Sequence, residues 1–520
     1  MPILTIKTSS GSALRVVEVS ARLDDLILSS GALLDRPCGG RGTCGKCRVR
    51  AAGGLSEITA AERKALTLEE LAAGWRLACQ ARVSGAAEVE AGDQPESTGK
   101  TFFVAPPGKE KGPLGLAIDL GSTTVGAFVV GLNSGKVYAG NSVLNRQASH
   151  GAEIMSRLLA AETDPGLLFR LAWDSVRDAA EGLPMSDAER GRVTTAVVVG
   201  NSAMHHLALR QPVGSLLRSP FTPAATTTAA VPREELAALF PGLASAVFAP
   251  LIGGFVGADA LACLVYFKLD GGGEPALALD LGTNGEIMLS AGGRVWVAST
   301  AAGPAFEGVN ISCGMRAVPG AVTRAAWAPA GPEGPAHWEL VTVANEPPQG
   351  LAGSGLLSAI HALRDLGAVD PSGRIADAAP GLARNDNGKA IRIFPTVTIT
   401  QNDVRELQKA KAAVRAGVEI LLRRAGLKPD ELTRVILTGS FGGRLDPADM
   451  IALGVLPPVA PERVYSIANG AGLGAALMLR EDELKIAEEL AARAEHVELN
   501  AEPVFMDEYV NRMALGEGGG

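Results

Sequence analysis

Two near-identical strand-and-loop patterns, 161 residues apart, constrain the fold of this 520-residue chain more than any other feature. The apolar run Leu116–Ile118 leads into the loop Asp119–Thr124, and the run Leu277–Leu279 leads into Asp280–Gly285. A short apolar run that ends abruptly in small and polar residues predicts a buried strand that feeds a loop. We therefore predict an internal duplication of one structural unit, with two similar lobes that face each other across a cleft.

Two further apolar runs end in the same abrupt way. Ala196–Val199 leads to Gly200–Ser202, and Val435–Leu437 leads to Thr438–Gly443. Each of these runs also predicts a buried strand followed by a loop. The chain thus contains four such strands, two of them in each half of the predicted duplication.

The residues of these loops suit a bound polyphosphate. An Asp at a strand end can hold Mg²⁺ directly or through water, the following Gly leaves room for a phosphate, and Ser or Thr hydroxyls donate to its oxygens. One such loop is a weak signal, because many tight turns contain these residues for backbone reasons alone. Two copies, together with the glycine-rich loop Thr438–Gly443, are a strong one.

These loops resemble those of the ATPase superfamily that contains acetate kinases, sugar kinases, heat-shock chaperones and actin. Asp119–Thr124 is similar to its first phosphate loop, Asp280–Glu286 to its second, and Thr438–Gly443 to its adenosine loop. The resemblance implies a duplicated ribonuclease H-like (actin-like) ATPase that uses ATP and Mg²⁺.

The same resemblance implies roles for individual residues. Asp119 and Asp280 would hold the metal or position water, and Glu286 is a candidate second carboxylate near the attacking water. The residues that would contact the nucleotide are Gly121, Ser122, Thr123, Thr124, Gly282, Thr283, Asn284, Gly439, Ser440 and Gly442.

Four of the six cysteines, Cys38, Cys44, Cys47 and Cys79, lie in the first hundred residues. The loop 37–47 contains four glycines, which let the backbone wrap closely and turn N–H groups towards anionic sulfides. The spacing Cys-x5-Cys-x2-Cys, then 31 residues and a Cys, is close to the plant-type ferredoxin pattern and resembles adrenodoxin-like and related bacterial ferredoxin domains. A structural zinc is the weaker alternative, because zinc sites usually pair their ligands and the fourth cysteine here stands alone.

The segments around the cysteines fit a small α+β domain. Residues 3–7 and 14–19 predict a hairpin, and residues 22–29 have the apolar spacing of a helix. The ferredoxin resemblance implies a β-grasp domain that ends near Glu90 and holds a 2Fe-2S cluster. The predicted architecture is α+β and α/β multidomain: a ferredoxin domain (1–92), a linker rich in Pro, Gly and charge (93–113), a first ATPase lobe with an intervening subdomain (114–274), and a second lobe with the adenosine loop (275–520).

Charge and hydropathy exclude other partners. Lys and Arg number 48 against 56 Asp and Glu, so the net charge of −8 would repel a phosphate backbone, and nucleic acid is not expected. Charged residues, Asn or Gly break each apolar stretch before it could span a membrane, and the N-terminus lacks the pattern of a secretory signal. We expect a soluble, cytoplasmic protein with no membrane partner.

The order of the parts, a ferredoxin domain and then this ATPase, is similar to that of the reductive activators of corrinoid proteins. Segments 145–153, 200–206, 254–259, 303–308 and 409–413 also resemble that family. The resemblance implies that ATP supports transfer of an electron from the 2Fe-2S cluster to the inactive Co(II) corrinoid of a methyltransferase system, restoring Co(I). It implies a corrinoid protein and an electron-donating reductase as partners, and the chain is compatible with a homodimer.

Three other functions fit parts of the pattern less well. An ATP-dependent electron donor to a radical dehydratase belongs to the same superfamily but carries a 4Fe-4S cluster between subunits, whereas this chain has its own cluster motif. A chaperone-like reactivase that exchanges damaged cobalamin, and a small-molecule kinase, would not need an iron-sulfur domain. Of the remaining cysteines, Cys263 is predicted to be a small core residue and Cys313 to be structural.

Overall fold

The computed structural model describes residues 2–8, 11–17, 19–29, 34, 40–42, 45–90, 102–103, 110–151, 154–282, 284–308, 310–330, 335–385, 388–439 and 445–516. These residues form two compact units, 1–248 and 249–520. Five of the predicted site residues lie outside the described residues: Cys38, Cys44, Thr283, Ser440 and Gly442. Within the described ranges, no helix combines the length and the apolar character that crossing a bilayer requires.

The first 90 residues form a small mixed sheet with a helix packed on it. The elements are β1 (Ile3–Thr8), β2 (Gly11–Val16), α1 (Leu23–Ser29), β3 (Arg48–Leu55), α2 (Ala60–Ala65), α3 (Leu68–Ala72), β4 (Trp75–Leu77) and β5 (Val83–Glu90). The strand order is β2-β1-β5-β3-β4, and β1 is antiparallel to β2 but parallel to β5. Leu23 and Ile27 of α1 are buried in one core with Leu4 and Ile6 of β1. The predicted hairpin and helix are confirmed, and the arrangement is the expected β-grasp fold.

A buried ion pair fixes the strand that precedes Cys79. Glu62 of α2 accepts hydrogen bonds from Arg76 Nε at 2.7 Å and from the Leu77 amide at 3.2 Å. Burial alone would raise the pKa of Glu62, but the hydrogen bonds from Arg76, Thr59 and Leu77 outweigh it, and the pKa is lowered. The ion pair therefore anchors β4, and the turn that carries Cys79, to α2.

The rest of the first unit is built around a seven-stranded sheet ordered β11-β12-β10-β7-β8-β9-β6. Its elements are β6 (Phe102–Phe103), β7 (Leu114–Leu120), β8 (Thr124–Gly131), β9 (Val137–Leu144), α4 (Ile154–Thr163), α5 (Pro165–Glu181), α6 (Asp187–Arg190), β10 (Val193–Val199), α7 (Ser202–Ala208), β11 (Ala229–Ala230), α8 (Glu234–Ala237) and β12 (Ser245–Phe248). The two residues of β6 come from the segment predicted as a linker and pair with β9. Residues 91–101 and 104–109, most of which belong to the predicted linker, lie outside the described part of the chain.

The second unit contains a six-stranded sheet ordered β23-β22-β13-β14-β15-β24 and two three-stranded sheets, β17-β16-β18 and β19-β20-β21. Its elements are α9 (Ala258–Phe267), β13 (Ala276–Leu281), β14 (Gly285–Ala291), β15 (Arg294–Thr300), β16 (Ala321–Ala328), β17 (His337–Thr342), β18 (Gly350–Leu351), α10 (Gly353–Asp365), β19 (Leu382–Asn385), β20 (Gly388–Phe394), β21 (Val397–Thr400), α11 (Gln401–Ala425), β22 (Arg434–Thr438), α12 (Pro447–Ala452), β23 (Val464–Ser466), α13 (Gly470–Leu477), α14 (Glu481–Arg493), β24 (Glu495–His496) and α15 (Phe505–Asn511).

The two large sheets share one strand pattern. In each, a central strand (β7 or β13) is antiparallel to the next strand of the chain (β8 or β14) and parallel to a later one (β10 or β22). A third antiparallel strand (β9 or β15) and a further parallel strand (β12 or β23) extend both sheets in the same order. The strands β7, β10, β13 and β22 coincide with the four predicted apolar runs. The predicted duplication of a ribonuclease H-like unit is therefore confirmed.

His361 of α10 gives the second unit a pH-dependent contribution to stability. Its Nδ1 lies 2.6 Å from Asp449 Oδ1 of α12, and this hydrogen bond, aided by the charge of Asp365, raises the pKa of His361 against the effect of burial. A pKa raised by folding stabilises the protein fully below the unfolded value of about 6.5, and this contribution is lost as the pH rises through the folded value.

We expect His361→Gln to lower the free energy of unfolding by about 1–2 kcal/mol at about pH 5.5, because it removes a hydrogen bond to a charged group. The loss is expected to be smaller at about pH 8.5, where a smaller fraction of the imidazole of the unmodified protein is protonated. Urea unfolding at the two pH values measures both losses. An equal loss at the two values would contradict the role assigned to His361.

Candidate functional site

Three carboxylates interact at the carboxyl end of β13, an interior strand of the six-stranded sheet, where the predicted second phosphate loop begins. Asp280 of β13 lies opposite Glu286 of β14 in the antiparallel register, so both side chains project from one face of the sheet. Asp259 lies in the first turn of α9 and accepts a hydrogen bond from the Ala260 amide at 2.9 Å. Ser299 Oγ of β15 donates to Glu286 Oε1 at 3.3 Å.

The three carboxylates share an environment that disfavours negative charge. Burial, and then the charge of Asp280, raise the pKa of Asp259 to about 7. Burial raises the pKa of Asp280 to about 6, although a hydrogen bond from Cys263 opposes the shift. Burial, and then the charges of Asp259 and Asp280, raise the pKa of Glu286 well above its usual value. Three acidic groups held in this way form a site that a cation would stabilise.

The arrangement fits a magnesium ion that arrives with its nucleotide. Among the described residues, no three Asp, Glu, His or Cys side chains are arranged to hold a metal ion by themselves. Mg²⁺ seldom needs such a set, because it keeps several waters and binds one or two carboxylates together with substrate phosphates. The donor chemistry of Asp259, Asp280 and Glu286 matches that mode of binding.

Two residues of this site, Asp259 and Cys263, have no site role predicted from the sequence. Asp259 lies in a segment that resembles the family, and Cys263, one helical turn later in α9, is predicted to be a small core residue. Cys263 is fully buried as expected, but its Sγ also donates towards Asp280 Oδ2 at 3.6 Å. Their spacing of four residues in an apolar helix is the one available signal, since it places both on one face.

The loop after β22 approaches Asp280 closely, and this approach requires a glycine. Gly439 has φ of +96°, and a Cβ at this position would lie 2.3 Å from Asp280 Oδ1 and 2.7 Å from Leu281 O. Thr438, the last residue of β22, is fully buried and its Oγ1 accepts a hydrogen bond from the Gly470 amide at 2.8 Å. The predicted adenosine loop therefore begins in direct contact with the carboxylate site.

We expect Gly439→Ala to weaken MgATP binding at least about tenfold, because the added methyl group would displace the Asp280 carboxylate or the loop, a cost of more than 1.4 kcal/mol. Gly426→Ala is the matched control. Gly426 also has positive φ, +68°, but a Cβ there would point into open space, with no neighbouring atom within 4 Å. Isothermal titration with a non-hydrolysable ATP analogue would measure both affinities, and equal affinities for the two variants would contradict the assignment.

The predicted first phosphate loop, Asp119–Thr124, accepts hydrogen bonds from two buried side chains. Asn145 Nδ2 donates to Gly121 O at 2.8 Å. Arg157, which is fully buried, donates to Ser122 O at 2.5 Å and to Gly151 O at 2.8 Å. These contacts order the loop, in which a Cβ on Gly121 would lie 2.6 Å from the carbonyl oxygen of Thr124.

The two phosphate loops differ in their acidic residues. Asp119, the counterpart of Asp280, is half-buried and pairs in register with Gly126 of β8, whereas Asp280 pairs with Glu286. Gly121, Ser122, Thr123 and Thr124 follow Asp119 as predicted. In the second loop, the Gly282 amide donates to Asn284 O at 3.0 Å. The acidic pair is therefore a property of the second loop.

Two of the four predicted cluster cysteines are described, and both suit a metal-sulfur site. Cys47 and Cys79 are buried, and their Sγ atoms lie 3.3 Å apart. Two thiolates on one tetrahedral metal with bonds of about 2.3 Å would lie about 3.8 Å apart, so a small adjustment would let both bind one iron. Gly40, Gly42 and Gly45 of the surrounding loop all have positive φ, which permits its close wrapping.

Comparison with known families divides the chain into three matched segments. Residues 8–84 match the 2Fe-2S iron-sulfur cluster binding domain. Residues 114–271 match the RACo middle region, and residues 274–519 match the C-terminal domain of RACo, the ASKHA domain.

Individual proteins resemble the chain over much of its length. The corrinoid activation enzyme RamQ of Eubacterium limosum is 31% identical over 440 residues, which cover 80% of this chain and 72% of that protein. The [Co(II) methylated amine-specific corrinoid protein] reductase of Methanosarcina barkeri is 31% identical over 285 residues, half of each chain. A solved structure of a reductive activator for corrinoid, iron-sulfur protein matches 98% of both chains with a TM-score of 0.68 and 25% identity. The chain therefore belongs to the RACo family.

Proposed function

We propose that this protein is an ATP-dependent reductive activator that passes one electron from a 2Fe-2S cluster to the inactive Co(II) corrinoid of a methyltransferase system, restoring Co(I). The observation that carries the proposal is the presence, on one chain of the RACo family, of a β-grasp domain with paired buried thiols and a duplicated ATPase fold with a partly buried acidic site. The proposed divisions are 1–92 for the electron carrier, 93–113 for the linker, and 114–274 and 275–520 for the two ATPase lobes.

Cys38, Cys44, Cys47 and Cys79 would hold the cluster, which supplies and accepts one electron at a time. Burial of Cys47 and Cys79 excludes water from their side of the site. The low exposure of these sulfurs favours electron transfer over loss of the metal by hydrolysis or oxidation. An electron-donating reductase is the proposed source of the electron.

The acidic site is proposed to bind MgATP and to hydrolyse it. Asp119 in the first lobe and Asp280 in the second would each hold Mg²⁺, directly or through water, or position water. Glu286 would be the second carboxylate near the water that attacks the γ-phosphate, and when ionised it could accept a proton from that water. Asp259 joins this set as a third carboxylate of the second unit.

The loop residues would bind the rest of the nucleotide. Ser122, Thr123, Thr124, Thr283 and Asn284 would donate to phosphate oxygens, while Gly121 and Gly282 leave room for their approach. Gly439, Ser440 and Gly442 would flank the nucleoside.

ATP can favour electron transfer only if it binds two states of the protein with different affinity, and the effect is reciprocal. A corrinoid protein that prefers the ATP-bound state must therefore raise the affinity of this protein for ATP. We expect slow basal hydrolysis that rises when a purified Co(II) corrinoid protein is added, measured as phosphate release under anaerobic conditions. The Co(I) form of the same corrinoid protein is the control, and equal rates with and without the Co(II) form would count against gating by the partner.

A further inference from the structure

Gln80 lies beside a predicted cluster ligand and has a defined orientation. It follows Cys79 in the turn after β4, where the Gln80 backbone amide donates to Leu77 O at 2.8 Å. Its side-chain Nε2 lies 3.5 Å from Cys79 Sγ, 3.3 Å from Cys79 O and 3.4 Å from Gly40 O. Two carbonyl oxygens accept only from a donor, so these neighbours identify the atom as the amide nitrogen.

The cysteine loop leaves room for this side chain. A Cβ at Gly42, where φ is +74°, would lie 2.7 Å from the Gln80 side-chain amide. A Cβ at Gly40, where φ is +87°, would lie 2.2 Å from Arg22 Nη2. Two of the loop glycines thus accommodate polar side chains, and one of these, Gln80, places its amide hydrogen atoms next to Cys79.

Arg22 and Gln80 differ in their charge and in the partners of their N–H groups. Arg22 donates to both oxygens of the fully buried Asp24, at 3.0 and 2.6 Å, so its positive charge is largely offset. Gln80 has no net charge, and its N–H dipole points towards Cys79 Sγ and two carbonyl oxygens. Its effect on the sulfur is therefore local and directional.

We propose that Gln80 tunes the reduction potential of the cluster, because the hydrogen bond from its Nε2 to Cys79 Sγ stabilises the additional negative charge of the reduced state. The inference rests on the proposed 2Fe-2S cluster. The step is the uptake of one electron from an external low-potential reductant, during which no covalent bond forms or breaks and the proton stays on Nε2. A donor to sulfur raises the reduction potential, since the bond strengthens as the sulfur becomes more negative. Loading of the cluster becomes easier, and delivery to a low-potential acceptor becomes more dependent on ATP.

The test compares midpoint potentials of the full chain, titrated anaerobically with the EPR signal of the reduced cluster as the readout. Gln80→Met keeps the length of the side chain and removes the donor. At the midpoint potential of the unmodified protein, we expect the ratio of reduced to oxidised cluster in Gln80→Met to be at least about threefold lower. This corresponds to a midpoint potential ~28 mV lower, at 59 mV per decade. Ser84→Ala, at an exposed position of β5, is the control and should leave the potential unchanged. An unchanged potential in Gln80→Met with an intact cluster would overturn the inference.

A second measurement needs no substitution. With glutamine labelled by ¹⁵N in the side-chain amide, pulsed EPR of the reduced, unmodified protein should detect a ¹⁵N hyperfine coupling to the cluster. Absence of that coupling would overturn the inference even if Gln80→Met failed to fold. A purified protein that holds no EPR-active cluster after reconstitution would instead overturn the proposed function, and the inference with it.

Discussion

Asp280→Asn is expected to lower the rate of MgATP hydrolysis by about 100- to 1000-fold, because the variant loses the carboxylate that would hold Mg²⁺ and polarise the reacting groups. The fold should not suffer. Burial already disfavours the charge of Asp280, and Asp280 repels Asp259 and Glu286, so a neutral amide removes an unfavourable interaction. The expected free energy of unfolding is therefore equal to or higher than that of the unmodified protein, as is common at catalytic sites.

Asp270→Asn is the matched control, since Asp270 is exposed and lies in the loop between α9 and β13 of the same unit. Phosphate release at saturating MgATP and urea unfolding, measured on both variants, separate activity from stability. Hydrolysis by Asp280→Asn within twofold of the control would remove Asp280 from the catalytic site. A large loss of stability would show instead that the carboxylate is a structural group.

Cys79→Ala is expected to abolish the iron-sulfur chromophore and electron delivery together. Losses of outer-sphere partners of a metal site cost about 10–100-fold in metal affinity, so removal of a buried ligand should cost more than about 100-fold. Iron content should fall from about two per chain to near zero. MgATP hydrolysis without a partner should be unchanged, because Cys79 lies in the β-grasp domain and none of the residues proposed to bind MgATP belongs to that domain.

Cys313→Ala serves as the control for removal of a thiol. Cys313 is half-buried in the second unit, where its Sγ lies 3.5 Å from the Thr398 hydroxyl. The Cys313→Ala variant should retain its iron, its visible absorption and its EPR signal. Full retention of the cluster by Cys79→Ala would contradict the assignment of this residue as a ligand and would show that other residues hold the cluster.

The sequence was informative where a structural element repeats or packs locally. The runs before Asp119 and Asp280 predicted two buried strands, and the sheet orders confirm the duplication. The helix at 22–29 was predicted from its apolar spacing and is α1. Pairing between distant segments could not be predicted. Phe102–Phe103 forms β6 by pairing with β9, and nothing in a Pro- and Gly-rich stretch indicates that partner.

In the acidic site, too, the residues of one loop could be predicted from the sequence, whereas the contributions of other elements to the site could not. Asp280 and Glu286 are both predicted from the resemblance of one loop to a phosphate loop, and the antiparallel hairpin formed by β13 and β14 places them in register. Asp259 was missed because it reaches the site from a different element, α9, and a carboxylate in the first turn of a helix is usually explained by the helix dipole. The role of Gly439 could be stated only once its distance from Asp280 was known, because a loop glycine has many local explanations.

The central claim is ATP-dependent reduction of a corrinoid, and anaerobic ultraviolet-visible spectroscopy tests it most directly. A purified Co(II) corrinoid protein is mixed with this protein, a low-potential reductant and MgATP, and the loss of Co(II) and appearance of Co(I) are followed. The account predicts Co(I) with MgATP, and none when ATP is omitted or when Cys79→Ala replaces the unmodified protein. Formation of Co(I) equally well without ATP would contradict the account. Failure to form Co(I) with any candidate corrinoid protein, although the cluster can be reduced, would also contradict it.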